Sequence, residues 1–248
     1  MKSTFIYFSL IVYFQKGNCF SFSDSFKVCH RSDPKLDACL SDAIETGFKT
    51  LGSTGLPAIG VPSIDPLKIS EIVIGAGTSA VNLVQKYYNA SIIGLSNLKV
   101  DNALFDFEKG VLSFVTKLPT LKQEAKYNVE GKIMVLPVYG TGDSIITFTN
   151  AALKHDIHFD KENKNNKQYL KVKLYTARIT VEGAHFDFQN LFNGDKRLGD
   201  NILKVINENW SVIFDDVKDG VNNSFSKVFE AVAKIFFSKI PIENMFPN

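Results

Sequence analysis

The chain has no strong excess of charge, no long apolar run and no common hydrolase motif. Its 28 Lys and Arg against 26 Asp and Glu leave a formal net charge of +2, which does not favour nucleic acid or an anionic membrane as partner. No segment is apolar for long enough to cross a bilayer, so we expect no stable membrane insertion. A Gly-x-Ser-x-Gly motif is also absent. Apolar residues are plentiful instead, at 45% with 21 phenylalanines, which predicts a sizeable core.

The first residues are typical of a secretory signal peptide. Lys2 is the only charge before an apolar and aromatic run at 5–14, which is too short to span a membrane. Small and polar residues follow near Cys19. We therefore expect residues 1–21 to be a signal peptide, residues 22–248 to form a single domain, and the protein to be secreted into an extracellular fluid.

Cysteines are scarce, and two of the three remain after such cleavage. Cys29 and Cys39 are then the only pair, in a compartment that permits oxidation, so a structural disulfide is predicted. Closing this short loop would contribute roughly 2–3 kcal/mol in the chain-entropy model. A metal-binding pair is the alternative, although His30 is the only further ligand nearby.

Three sequons fit a secreted glycoprotein. They place candidate glycans on Asn89, Asn209 and Asn222. The second has Trp210 in its middle position, which makes it the poorest acceptor of the three.

The period of the apolar residues divides the chain into three parts. A helix is predicted from Asp33-Pro34 to about Lys49, with an apolar face at four-residue spacing. From about 68 to 188 the period is two, which predicts an antiparallel sheet with one wet and one dry face. From 198 to about 240 apolar residues recur every three or four positions. One helix of about 60 Å is expected there, with its likeliest kink at Asp219-Gly220.

The clearest alternation begins at Tyr127 and puts a set of side chains on the dry face. A turn is predicted at Gly140–Asp143, a hairpin loop at Asp160–Lys167, and a bulge or close approach at Gly131. The dry-face residues on these strands are Tyr127, Val129, Ile133, Val135, Ile146, Phe148, Leu153, His155, Ile157, Phe159, Leu170, Val172 and Leu174. A sheet of this kind curved around one long helix is hard to fill completely, so an apolar tunnel is expected along the helix.

Several stretches resemble the insect juvenile-hormone-binding/takeout proteins, within the superfamily of tubular lipid-binding folds. They are Cys29 with Cys39, "GLPAIGVPSIDPLKI" at 55–69, "KYNVEGKIMVLPVYGTGD" at 126–143, "QNLFNGDKRLGDNILKVINENW" at 189–210 and "FFSKIPIENMF" at 236–246. The resemblance implies an α+β fold, in which a strongly curved antiparallel sheet wraps a long C-terminal amphipathic helix around an internal hydrophobic tunnel. It also implies carriage of juvenile hormone, another terpenoid or a fatty acyl compound in haemolymph or a similar fluid, without catalysis. Cysteines for one disulfide rather than two bring the chain closer to the takeout branch.

Candidate ligand contacts lie on the dry face of the strands. The resemblance places Tyr127 beside the ligand, where its phenol would bond a ligand oxygen; a core tyrosine bonded to the backbone is the alternative. His155 is either a second polar contact or a histidine satisfied at the sheet edge. The remaining candidates, either tunnel wall or core, are Val129, Ile133, Val135, Ile146 and Phe148. No metal or cofactor is expected.

One stretch, "SEIVIGAGTSAVNLVQ" at 70–85, has the look of a dinucleotide-binding loop. No repeated βαβ units follow it, so Gly75 and Gly77 are expected to bend a strand instead. The favoured function is a secreted, monomeric carrier of a small lipophile, with a receptor or carrier protein as an optional partner. An enzyme on the same fold is one alternative. The other is a secreted protein-interaction or signalling module whose tunnel holds only a structural lipid or side chains.

Overall fold

The computed structural model describes residues 21–75 and 81–248. Within them, a seven-stranded antiparallel sheet combines with a long C-terminal helix, which confirms the predicted α+β class. The helices are α1 Phe22–Ser25, α2 Leu36–Leu51, α3 Lys196–Glu208, α4 Trp210–Lys239 and α5 Ile242–Met245, with short 3-10 turns at Pro57–Ile59, Leu95–Asn97 and Phe192–Gly194. The strands are β1 Leu67–Ile74, β2 Val81–Ile93, β3 Lys99–Asp106, β4 Val111–Ile133, β5 Leu136–Lys164, β6 Lys167–Thr180 and β7 Gly183–Phe188. Residues 1–20 of the predicted signal peptide, with Cys19, and Gly77 lie outside the described residues.

The sheet is a meander in which neighbouring strands run antiparallel. Hydrogen bonding follows the order β1-β2-β4-β5-β6, while β3 pairs with β4 and β7 pairs with β5. Every described pairing of these strands is antiparallel. A dinucleotide-binding fold needs parallel strands with crossover helices, so the nucleotide interpretation of the glycine stretch is excluded.

Long strands and bulges together produce the strong curvature. The 29 residues of β5 would extend for about 95 Å if straight, roughly twice the width of a domain of this size. Bulges interrupt the ladders instead. β2 carries one around Asn89 and β3 another around Asn102, and both asparagines have positive φ, at 51° and 52°. Each bulge inserts an extra residue and bends its strand, so the sheet curls.

The turn predicted at Gly140–Asp143 is wrong. These residues lie inside β5, paired with the stretch 126–129 of β4, and the chain reverses earlier, between Ile133 and Leu136. The glycines serve close packing: a Cβ on Gly142 would lie 2.4 Å from the Gln189 carbonyl oxygen. Val135 sits in the actual turn with 86% of its surface exposed, so its predicted inward position is wrong as well.

The alternation of buried and exposed side chains is confirmed along most of β4, β5 and β6. Leu174 is the exception, because it is 47% exposed. His158 of β5 pairs with Leu174, but the next residue, Phe159, pairs with Val172, so Lys173 is an extra residue in β6. This β-bulge turns Leu174 outward. The predicted hairpin loop shortens to a tight turn at Asn165-Asn166, both with positive φ. Gly131 is a close approach as expected, since a Cβ there would lie 2.3 Å from the Asn82 carbonyl oxygen.

The C-terminal helical region breaks at Asn209 and not at Asp219-Gly220. Asn209 leaves helical geometry, with φ −112° and ψ 23°, and separates α3 from the 30 residues of α4, which span about 45 Å. Gly220 lies within α4, where a Cβ would come within 2.8 Å of Cγ2 of Ile74. The glycine therefore lets the helix approach β1 closely rather than bending it.

Helix α4 covers the edge of β6 that no strand pairs. Asn222 Oδ1 accepts a hydrogen bond from the backbone N–H of Ile179 (2.9 Å), and Ser226 Oγ accepts one from Ala177 (2.8 Å). On the other side, Asp216 accepts from the N–H of Val81 at the start of β2 (2.7 Å). The sheet does not close on itself; instead, α4 lies along the gap and satisfies backbone groups that an open edge would expose.

Helix α2 forms where the sequence predicts it and is tied to the chain before it. The predicted disulfide between Cys29 and Cys39 is present, with a Cα–Cα separation of 5.9 Å, so the metal-pair alternative is excluded. The Cys29 N–H also donates to the Met245 carbonyl, and that of Arg31 to Pro247. These bonds hold the N-terminal segment against the end of the chain, with α2 facing the interior.

Candidate functional site

The interior contains an apolar cavity of about 180 Å³, here called cavity 1. It lies between α2, the last third of α4 and the inner face of the sheet, with α1 and α5 at its margin. Apart from Lys27 and the Tyr175 phenol, its lining offers hydrocarbon surface. The lining residues include Leu40, Ala43, Ile44, Gly47, Phe48 and Leu51 from α2; Phe229, Val232, Ala233, Phe236 and Phe237 from α4; and Leu112, Phe114, Ile157 and Tyr175 from the sheet.

Aromatic rings from both ends of the chain close one side of cavity 1. Phe22 and Phe26 stack with centroids 5.1 Å apart, and Phe26 meets Phe236 edge-on at 5.4 Å. Short α1 therefore packs on the C-terminal part of α4 through rings that also line the cavity. Contacts of this geometry stabilise beyond their buried area.

His155 lies directly behind the wall of cavity 1 and has both ring nitrogens occupied. Its Nε2 is 3.0 Å from Thr116 Oγ1 and its Nδ1 is 3.0 Å from the Tyr175 hydroxyl. The ring stacks on Phe114 at 4.5 Å and meets Phe229 edge-on at 5.4 Å. Burial lowers the pKa of His155 to about 3, so the imidazole is neutral at physiological pH. His155 is thus satisfied within the protein, but strands pair on both sides of it, so it does not lie at the sheet edge as expected. Its contact with a ligand stays a prediction.

Tyr127 is also satisfied from within the protein. Its hydroxyl donates to the Gln189 carbonyl oxygen at 2.7 Å, and its ring meets Phe188 edge-on at 4.9 Å. Burial raises the pKa of Tyr127 to about 12. Tyr127, Val129 and Ile133 are buried, yet they line neither cavity described here. The arrangement of Tyr127 is that of the core tyrosine, and its contact with a ligand stays a prediction.

A second, smaller cavity of about 40 Å³, called cavity 2, lies between the middle of α4 and strands β1, β2, β4 and β5. Two of the predicted ligand residues, Ile146 and Phe148, line it. Its lining includes four polar side chains, Gln85, Tyr87, Gln123 and Ser224, among apolar ones that include Ile72, Ile92, Phe214, Val217, Val221 and Phe225.

The two cavities follow one another along α4. Phe225 lines cavity 2 and Phe229, one turn later, lines cavity 1. The two rings stack with centroids 5.9 Å apart, and Phe229 stacks on Tyr175 at 6.0 Å. Aromatic rings thus stand at the boundary between the two spaces. A single continuous tunnel stays a prediction.

The residues of α2 that line cavity 1 are not among the candidate ligand contacts predicted from the sequence. The signal was present, because the predicted helix has Leu36, Leu40, Ile44 and Phe48 on one face. That pattern does not distinguish a face that packs against side chains from one that borders empty space. Among the described residues, no cluster of three or more potential metal ligands occurs, and none of the helices has the length and apolar character to cross a membrane.

The three sequon asparagines differ in their surroundings. Asn89 is exposed at its bulge. Asn209 is half-buried and donates through Nδ2 to the Val205 carbonyl (2.8 Å), while Asn222 is engaged with β6. Glycosylation stays a prediction at all three, and Asn89 has the most accessible side chain.

Comparison with known proteins agrees with this architecture. A solved structure, Takeout 1 of Epiphyas postvittana, superimposes with a TM-score of 0.80 at 25% identity, covering 90% of this chain and all of that one. The circadian clock-controlled protein daywake of Drosophila melanogaster is 28% identical over 233 residues, 91% of this chain and 88% of its own length. Its counterpart in Drosophila yakuba is 28% identical over 218 residues, 85% and 84% of the two chains. The model of the haemolymph juvenile hormone binding protein family matches residues 8–247, and the chain therefore belongs to that family of carriers of lipophilic ligands.

Proposed function

We propose that the protein is a secreted, monomeric, single-domain carrier that holds a small lipophile in cavity 1 and performs no catalysis. The ligand would be juvenile hormone, another terpenoid or a fatty acyl compound. Cavity 1 is the observation that carries this proposal, because a concave space lined by aliphatic side chains and aromatic rings favours apolar molecules. Membership of a family named for a hormone carrier supports the ligand class.

The expected affinity follows from the apolar surface that the ligand removes from water. Burial contributes roughly 0.8 kcal/mol per methylene, so a lipophile of about fifteen carbons gains roughly 12 kcal/mol. Association costs several kcal/mol of this, which leaves a dissociation constant on the order of micromolar or tighter.

Gly47 offers a direct test because it lies on α2 and lines the cavity. Among the described residues, a Cβ at this position would meet only the Phe26 ring, at 3.8–3.9 Å, which is ordinary contact. The Cβ of Gly47→Leu is therefore accommodated, and we expect the rest of the leucine side chain to occupy part of cavity 1. Gly47→Ala adds a single methyl and serves as the matched control. Both replacements favour the helix by roughly 0.8 kcal/mol relative to glycine.

The measurement is displacement of a fluorescent lipophile by a terpenoid ester or a fatty acid, beside thermal unfolding. We expect Gly47→Leu to weaken binding at least tenfold while unfolding at or above the wild-type temperature, and Gly47→Ala to bind nearly as the wild type does. If neither class of lipophile binds the wild type or raises its unfolding temperature, the carrier proposal fails and the protein-interaction module is favoured.

A further inference from the structure

Gln123 carries a buried polar group that the protein itself leaves unused. It lies in β4 between its cross-strand partners Ile92 and Ile146, and it lines cavity 2. Its Nε2 is buried and has no hydrogen-bond partner among the described residues. Buried amide groups are nearly always paired, and an unpaired donor destabilises the folded state, so this one requires an explanation.

Three other polar groups that line cavity 2 have hydrogen-bond partners within the protein. The Tyr87 hydroxyl donates to Gln85 Oε1 at 2.8 Å, and the Ser224 hydroxyl donates to the Gly220 carbonyl of its own helix at 2.9 Å. Among the described residues, Gln123 Nε2 is the fully buried side-chain donor of cavity 2 without a partner, and it is therefore the donor that we consider for a bound molecule. The surroundings are apolar, which makes a hydrogen bond there stronger than the same bond in water.

We propose that cavity 2 binds the oxygen-bearing end of the lipophile, with Gln123 Nε2 donating to a carbonyl or ester oxygen. Cavity 2 has room for little more than such a group. The apolar remainder of the ligand extends along α4 toward cavity 1, past the Phe225–Phe229 stack. This inference rests on the proposed carrier function and specifies which chemical group the carrier recognises.

The experiment compares 2-dodecanone, which has a single acceptor oxygen, with dodecane, which has none. Both displace a fluorescent lipophile from wild type, Gln123→Met and Gln123→Leu. The two apolar replacements differ in shape, so poor packing of one of them does not decide the result. Ser224→Ala is the matched control, because it removes a hydroxyl of the same cavity that already has a partner.

One hydrogen bond to a neutral acceptor changes affinity about twofold to tenfold. We expect the preference for 2-dodecanone over dodecane to fall by that factor in both Gln123 variants and to persist in Ser224→Ala. The carbonyl stretching band of bound 2-dodecanone should also lie at lower wavenumber in wild type than in Gln123→Met.

The possible failures are distinct. If both probes bind and the preference is the same in wild type and in both Gln123 variants, the inference is overturned while the carrier function stands. If neither probe binds the wild type although the terpenoid ester or the fatty acid does, this inference alone is overturned. If none of these four compounds binds, the carrier function fails and this inference fails with it.

Discussion

Acidification should destabilise the protein through His155, well above the pH at which carboxylates begin to protonate. Burial lowers the pKa of this imidazole from its usual 6.5 to about 3. The unfolded chain therefore binds a proton below pH 6.5 that the folded protein does not accept. The free energy of unfolding must fall as the pH decreases from 6.5 toward 3.

The size of this loss in the free energy of unfolding follows from how far the pH lies below the usual pKa of histidine. At pH 5.0 the solution is 1.5 pH units below the usual pKa of histidine, and each unit corresponds to about 1.36 kcal/mol. His155 therefore lowers the free energy of unfolding by about 2 kcal/mol at pH 5.0 relative to pH 7.5. For a chain of this length the melting temperature should fall by about 4–8 °C. Glu45, whose pKa is lowered to about 2 by hydrogen bonds from Lys99 and Lys49, contributes only below its usual 4.5.

The assay is chemical denaturation at pH 7.5, 6.5, 5.8 and 5.0 for wild type, His155→Leu and His158→Gln. His155→Leu is less stable at pH 7.5, because Thr116 and Tyr175 lose their partner, but most of its pH dependence in this range should vanish. His158 is exposed on the opposite face of β5, so His158→Gln should keep the wild-type slope. A wild-type curve that is flat between pH 7.5 and 5.0, or an unchanged slope in His155→Leu, refutes the assignment of a neutral, buried imidazole.

Two further predictions concern the packing of β5 and of α4 around the cavities. Gly142→Ala should lower the free energy of unfolding by about 2–3 kcal/mol, because its Cβ would lie 2.4 Å from the Gln189 carbonyl oxygen. Gly75→Ala, whose Cβ would have no described residue within 4 Å, should stay within about 0.5 kcal/mol of wild type in chemical denaturation. Equal losses in the two variants would contradict the close approach. Asn222→Ala should cost about 1–2 kcal/mol and speed hydrogen exchange at the Ile179 amide, because that N–H loses its acceptor. Lys227→Ala, an exposed change on the same helix, is its control, and unchanged protection at Ile179 would argue against the helix-to-strand bond.

Periodicity predicted which side chains are buried, but it could not assign the roles of individual glycines. Tyr127 and His155 are buried as their alternation indicates. Gly142 and Gly220 each suggested a turn or a kink, and both instead allow another segment to approach. Glycine serves both purposes, and only the position of a segment distant in sequence distinguishes them.

The cavities were harder to predict than the fold, because empty space depends on small differences in volume. The apolar face of α2 is evident in the sequence, but the space beside it depends on the small residues Gly47 and Ala43, which line cavity 1. Gln123 gave no signal, since one glutamine on a strand is unremarkable until its neighbours are known. Similarly, the sequence makes Tyr127 a reasonable candidate for a ligand contact. Its hydroxyl instead donates to the carbonyl oxygen of Gln189, which lies 2.7 Å away and 62 positions later in the sequence.

The side-chain bonds between α4 and β6 imply that the long helix is anchored in position. If the helix slid or turned, the hydrogen bonds at Ile179 and Ala177 would both break, and no described strand lies beside this edge of β6 to replace them. A ligand larger than cavity 1 therefore requires movement of the wall opposite α4. Helix α2 is held by the disulfide near its start and by an ion pair between Glu45 and the exposed Lys99 of β3. We therefore expect this helix to move first, and differences in cargo size among relatives should map to it.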